Sequence, residues 1–325
     1  MILSVGLSPA WQKILVFDGM RRGQVNRAHT AKWCASGKVF NAGIAVHTLG
    51  GPGLAMAPVG GAAKKPMEEE FQALGMDSRL METEAPTRVC TTIIDQADGS
   101  ITELVEEGRP LSIAELERFH AAYREESRRA KVVVMMGSLP QGVPVSFYRE
   151  LLQEVHRPMV LDFRGEGLLS VLDLHPLVVK PNREELEKTV GYSLNGEQAL
   201  LDAMRSLNRK GAKWVVITEG TAPVRVSSAT EIYRIHPLRI EAERIVNPIG
   251  SGDAMAGAMA HAIGNGVINE TIENGTTGNE TSIILAAVRS GIAAAAQNVR
   301  QLLPCRIDPA ILMSEAEKIH IERLE

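Results

Sequence analysis

The chain has 325 residues, 45% hydrophobic and 23% charged, with a formal net charge of −4. That length suffices for one large α/β domain or two modest ones, with a core that needs no metal or disulfide staple. The mild charge excludes a surface made to wrap nucleic acid or coat an anionic membrane, and aromatics at 4% are too sparse for a base-stacking platform.

In chain order, the apolar run Ile2–Leu7 reads as a first strand, since no basic leader precedes it. Trp11–Cys34 is extended chain of mixed polarity, followed by a helix over Gly37–Leu49. A second extended segment spans Thr87–Gly108. Within it Cys90–Asp95 and Ser100–Val105 flank Gln96-Ala97-Asp98-Gly99, and Asp-Gly at that place signals a hairpin. Ser112–Arg128 is a helix opened by the capping box of Ser112 and Glu115. Strands at Val132–Met136, Met159–Phe163, Leu177–Val179 and Trp214–Thr218 then alternate with helices at Val145–His156, Arg183–Val190 and Glu197–Lys210. A small-residue helix, Ala254–Ile263, comes before the polar stretch Asn265–Ser282, which reads as a surface loop. The Asn-x-Thr triplets beginning at Asn269, Asn274 and Asn279 are read as chance within that loop.

This alternation predicts a mainly parallel sheet covered by helices on both faces, with the strand carboxyl ends along one ligand-binding rim. The two extended segments would form a small antiparallel piece over that rim as a lid. An extra edge hairpin is the alternative. No Gly-x-Gly-x-x-Gly follows the first strand, which excludes a dinucleotide-binding dehydrogenase.

Cys34, Cys90 and Cys305 are far apart and lack paired ligand spacing, so they suit a reducing cytoplasm better than a disulfide framework or a zinc site. No apolar run reaches the roughly 20 residues of a membrane helix.

Chemistry concentrates at Asn247-Pro248-Ile249-Gly250-Ser251-Gly252-Asp253, directly before the small-residue helix. Two glycines let main-chain amides turn towards one group, and a helix start adds unpaired N–H groups and partial positive charge. A carboxylate in such a cradle would repel phosphate, so its useful role is to accept a proton from an attacking hydroxyl. A plain glycine turn with Asp253 as a helix cap fits these seven residues equally.

Gly250-Ser251-Gly252-Asp253 resembles the G-A-G-D signature of ribokinase-like, or PfkB, carbohydrate kinases. The likeness recurs in register over nearly the whole chain. Gly137-Ser138-Leu139-Pro140-Gln141-Gly142-Val143-Pro144 resembles G-S-L-P-P-G-V-P. Lys180-Pro181-Asn182 with Glu185 resembles K-P-N-x-x-E, and Ser36-Gly37-Lys38-Val39-Phe40-Asn41 resembles G-G-K-G-x-N. The branch it is most similar to phosphorylates sugar phosphates, as 1-phosphofructokinase and tagatose-6-phosphate kinase do.

The resemblance implies a single domain over 1–325 with three α/β/α layers. Its discontinuous lid would be formed by about 11–34 and 87–108. It implies ATP and Mg2+ as cosubstrate and cofactor, a ketohexose monophosphate acceptor, and a homodimer paired through the lid. Asp253 would be the base and Gly250, Ser251 and Gly252 the anion hole. Beside a helix N-terminus Asp253 should have a low pKa, and a loose transition state tolerates so weak a base. Lys180, Asn182, Thr218, Gly220 and Asn298 would lie along the nucleotide, Asn298 beside adenine, with Asn182 and Glu185 holding magnesium largely through water. Asn182 and Glu185 also form a capping box at a helix start. Arg88, Lys38 and Arg27 would grip the acceptor's phosphate, Asn41 would meet its sugar hydroxyls, and Ser138 would touch its phosphate or its sugar. Where the family has an aspartate orienting sugar hydroxyls, this chain has Gln12. A kinase for an unphosphorylated sugar or nucleoside, and a non-catalytic sugar-phosphate sensor, stay open as alternatives.

Overall fold

Strands apolar on both faces must be covered on both faces, and they are. The computed structural model describes residues 1–265 and 277–325, with backbone alone at 277–279. Its strands are β1 (Ile2–Val5), β2 (Ala10–Phe17), β3 (Thr30–Ser36), β4 (Gly53–Gly60), β5 (Asp77–Thr83), β6 (Val89–Asp95) and β7 (Ile101–Val105). They continue with β8 (Val132–Met136), β9 (Met159–Asp162), β10 (Val178–Val179), β11 (Trp214–Ile217), β12 (Val224–Ser227), β13 (Ile232–Ile235) and β14 (Ile321–Arg323).

Ten strands form one sheet in the order β14-β13-β12-β11-β10-β9-β8-β1-β4-β5. It is parallel from β5 through β11 and antiparallel from there to β14. Successive side chains point to opposite faces. Leu3, Val5, Val133 and Met135 enter one apolar layer beneath the helices Ile113–Ser127, Ser146–Leu152, Arg183–Val190 and Gly196–Arg209. Ile2, Val132, Val134 and Met136 enter the other, beneath Lys38–Thr48, Lys64–Leu74, Ser251–Gly264 and Thr277–Asn298. This is the three-layer α/β/α arrangement with a mainly parallel sheet.

The lid has four strands in the order β3-β2-β6-β7. Each hairpin is antiparallel, and the two meet along a parallel seam between β2 and β6. Ile14, Val16, Cys34 and Ile94 form its apolar underside, packed on Leu302 and Leu303.

Ser112 caps its helix as expected, with both halves of the box formed, an arrangement worth about 1 kcal/mol. The helix expected over Val145–His156 stops at Leu152. Residues 277–282, expected in a loop, open the helix Thr277–Asn298 instead, where Trp214 donates to Glu280 at 2.8 Å. The triplets at Asn269 and Asn274 lie outside the described residues, and only the backbone of Asn279 is described. All three cysteines are free and buried. Among the described residues no helix is long and apolar enough to cross a membrane.

Candidate active site

The parallel strands end along one rim, beneath the lid. Asp162 closes β9, Lys180 follows β10 and Thr218 follows β11. They line one cleft of about 420 Å³ together with Gln12, Lys38, Asn41, Arg88, Asn182, Glu185 and Pro248–Asp253. The cleft floor comes from the large sheet, and its roof, including Glu103, from the lid.

At the helix Ser251–Gly264, Gly250 takes the left-handed conformation, φ 85°, that lets the chain turn into the first helical residue. Gly252 has no neighbour near its missing side chain except the Lys180 ammonium, 3.5 Å from where a Cβ would stand. A bare main chain beneath a cation is a surface on which a phosphoryl group fits. Of the three amides expected to form the anion hole, that of Ser251 is already bonded to the Pro248 carbonyl at 3.2 Å.

Asp253 lies in the first turn of this helix, 8% exposed, and accepts a hydrogen bond from Asn41 Nδ2 at 2.8 Å. Asn41 accepts in turn from Ser36 Oγ at 3.2 Å. The low pKa expected for Asp253 is not what the surroundings dictate. Burial pushes its carboxyl above the ordinary range, Asp162 adds to that, and Lys38, Asn41 and Lys180 offset it only in part. Desolvation is the largest of these influences and makes Asp253 a stronger base than an ordinary aspartate.

Lys38 is not a free cation beside Arg88. Its ammonium sits 2.8 Å from Asp162 Oδ1 and 2.9 Å from Glu185 Oε1. Burial acts against its charge, but Asp162, Glu185 and Asp253 together hold its pKa above the usual value. Asp162 is 1% exposed and pairs also with Lys180, Oδ2 to Nζ 2.9 Å. Burial would raise the Asp162 carboxyl, yet Lys180 and Lys38 outweigh it and hold it below the ordinary range. Sequence reasoning passed over Asp162. A carboxylate ending a buried parallel strand was the signal that could have marked it.

Asn182 and Glu185 do form a capping box: Asn182 Oδ1 accepts from the Glu185 amide at 2.8 Å, and Glu185 Oε2 from the Asn182 amide at 3.0 Å. That leaves Glu185 Oε1 turned to the cleft. Carboxylate oxygens of Asp162 and Glu185 thus converge on one cationic centre, an all-oxygen donor set that suits a hard cation such as magnesium. Among the described residues no group of three or more acidic, His or Cys side chains is arranged to hold a metal by itself.

Arg88 projects its guanidinium under the lid, held by the carbonyls of Pro9, Glu106 and Ser8 at 3.2, 3.2 and 3.1 Å. Gln12 commits its amide nitrogen to Thr92 Oγ1 at 2.6 Å. The remaining sequence candidates fall outside the cleft wall. Ser138 is exposed, and its carbonyl takes Ser8 Oγ at 2.7 Å; Arg27 is exposed in the β2–β3 connection. Gly220, φ 53°, sits in an exposed turn beyond Thr218. Asn298, expected beside adenine, does not line the cleft. It is fully buried behind the glycine loop, donating to Ile249 O at 2.9 Å and Ser251 Oγ at 3.1 Å and accepting from the Cys305 amide at 2.7 Å.

Comparison with known proteins returns the same outline. The family description "pfkB family carbohydrate kinase" matches residues 5–307. Tagatose-6-phosphate kinase of Staphylococcus epidermidis is 26% identical over 269 residues, covering 81% of this chain and 85% of the relative. In fold, the chain resembles the "Possible 1-phosphofructokinase" of Thermotoga maritima, with TM-score 0.85, 20% identity and full coverage of both chains. It also resembles the tetrameric inhibited form of phosphofructokinase-2 from Escherichia coli, with TM-score 0.82, 21% identity and 98% of each chain covered.

Proposed function

We propose that this chain, which belongs to the pfkB family of carbohydrate kinases, transfers the γ-phosphoryl group of ATP to a primary hydroxyl of a ketohexose monophosphate. Family membership makes it a sugar-kinase phosphotransferase, which removes the non-catalytic sensor as a reading. The acceptor is of the 1-phosphofructokinase or tagatose-6-phosphate kinase type, as the Staphylococcus epidermidis relative suggests.

The observation that carries the reading is Asp253 at a helix start facing the cleft, with Lys38, Lys180 and bare Gly252 around it. The attacking hydroxyl gives its proton to Asp253 as its oxygen bonds to the γ-phosphorus. The bond to the β–γ bridging oxygen breaks, and ADP leaves. The amides of Gly250 and Gly252 and the Lys180 ammonium stabilise the charge that develops on the moving phosphoryl group. Thr218 and Gly220 border the nucleotide. Glu185 and Asn182 would hold magnesium, largely through water, and the ion would supply neutralisation of phosphate charge. Arg88 takes the acceptor's own phosphate, while Lys38, engaged by two carboxylates, serves the phosphoryl group in transit.

ADP release against fructose 1-phosphate, tagatose 6-phosphate, fructose 6-phosphate and free sugars tests the proposal. Asp253→Asn should lose roughly 10²–10⁴-fold in kcat, the usual weight of a general base, with nucleotide affinity kept. Wild-type turnover in that variant would remove Asp253 as the base. Arg88's bonds to three main-chain carbonyls favour, as a second reading, an unphosphorylated acceptor, which the free-sugar arm decides.

Pairing of two lids into a dimer completes the proposal. Trp33 and Leu104 are 44% and 55% exposed on the lid's outer face, in register with Lys13 and Thr91 between them. Light scattering of Trp33→Glu should then report monomers. The three free thiols suit a cytoplasmic enzyme.

A further inference from the structure

Glu103 is the one carboxylate that the lid adds to the cleft wall, beside Gln12, Arg88, Cys90 and Val105. Its cross-strand partner, Thr92, is buried and already takes the Gln12 amide. Among the described residues no hydrogen bond or ion pair engages Glu103, and Arg88 turns to main-chain carbonyls instead. Burial and the facing charge of Asp253 raise the Glu103 carboxyl above its ordinary range, and Arg88 opposes them. The group therefore stands in electrostatic reach of both the base and the guanidinium, across the space where an acceptor must lie.

An unengaged carboxylate there has two oxygens free to accept hydrogen bonds and nothing with which to donate them. It suits hydroxyl groups and repels phosphate. Glu103 is exposed on its strand and reachable from the cleft, and an analogue without the hydroxyl forgoes the charge-assisted bond.

We infer that Glu103 is a specificity-determining residue of the acceptor subsite, accepting hydrogen bonds from sugar hydroxyls and turning anionic groups away from its end of the cleft. The inference rests on the sugar-phosphate reading above. Arg88 and Glu103 then read opposite chemistries on one molecule, phosphate at one and hydroxyls at the other.

Calorimetric titration of the full chain tests this without requiring turnover. Fructose 6-phosphate, tagatose 6-phosphate, inorganic phosphate and ATP are each titrated into wild type, Glu103→Gln and Glu103→Ala. Glu103→Ala should weaken the bound sugar phosphate roughly 10–100-fold, the scale of a lost hydrogen bond to a charged group. Glu103→Gln should fall between it and wild type. Inorganic phosphate should bind the variants as well as wild type or better, with ATP unchanged. Parallel weakening of sugar phosphate and inorganic phosphate would mark a merely structural role and overturn the inference. Unchanged sugar-phosphate affinity, or no sugar-phosphate binding by wild type, would overturn it too. ADP release run alongside separates the two ideas. Glu103-dependent binding without turnover sinks the kinase acceptor reading alone, and turnover with Glu103-independent binding sinks this inference alone.

Discussion

Asn41 Nδ2 lies 2.8 Å from Asp253 Oδ2, so the side chain expected to meet a sugar also braces the carboxylate proposed as the base. It donates to the charged form of a group that burial pushes the other way. With Asp253 as the proposed base, kcat/KM should fall as pH drops through a value above the ordinary aspartate range. Asn41→Ala removes support for the charged form and should move that acid limb to higher pH, by about one unit for a bond worth ~1.5 kcal/mol. A pH–rate profile that superposes on wild type would show that the bond does not tune the base.

Asp162 neutralises two ammonium groups, and Lys180 is nearly as buried as Asp162 itself. Asp162→Asn should therefore destabilise by about 3–5 kcal/mol, the range for breaking a buried pair, read as a lower urea midpoint. The depressed carboxyl of Asp162 gives the pH sign. Its contribution is full above the unfolded value of about 3.9 and is lost as pH falls through the lower folded one. The variant should lack that acid-side decline.

Asn298 ties the Ile249 carbonyl, the Ser251 hydroxyl and the Cys305 amide together from behind the glycine loop. Asn298→Ala should loosen the anion hole and lower kcat roughly 100-fold, the scale of a lost transition-state donor, with little change in ATP KM. A raised ATP KM with kcat intact would return Asn298 to the nucleotide side.

Arg88→Ala should raise the acceptor KM by about 10–100-fold and leave the ATP KM unchanged, as expected for a lost charge-assisted contact. Arg88→Lys keeps the charge but not the fork, and should fall between. Equal effects on free and phosphorylated sugars would detach Arg88 from the phosphate.

The sequence was most legible where structure is local. Five apolar runs announced five of the seven parallel strands, and Ser112/Glu115 and Asn182/Glu185 announced helix starts because a cap is complete within four residues. Gly53–Gly60 carries Pro58 and Lys64–Leu74 opens on Lys-Lys-Pro, features that hid a strand and a helix. In β12, Arg225 interrupts the apolar pattern of a short edge-side strand. The site divided in the same way. Gly250–Asp253 is contiguous and was found. Asp162 meets Lys38 across 124 residues, and no spacing rule reaches that far. Glu103 reads in sequence as an ordinary solvent-facing strand residue, and only the folded lid turns it inward. Asn298, expected beside adenine, is buried, because its place near the end of a helix does not tell which way it faces.

Only Gly37 separates the end of β3 from the first turn bearing Lys38 and Asn41. Its φ of 83° and the Ser8 carbonyl, 2.9 Å from where a Cβ would stand, make that joint narrow. Any side chain there would strain both the last residue of that lid strand and the helix turn that carries Lys38 and Asn41.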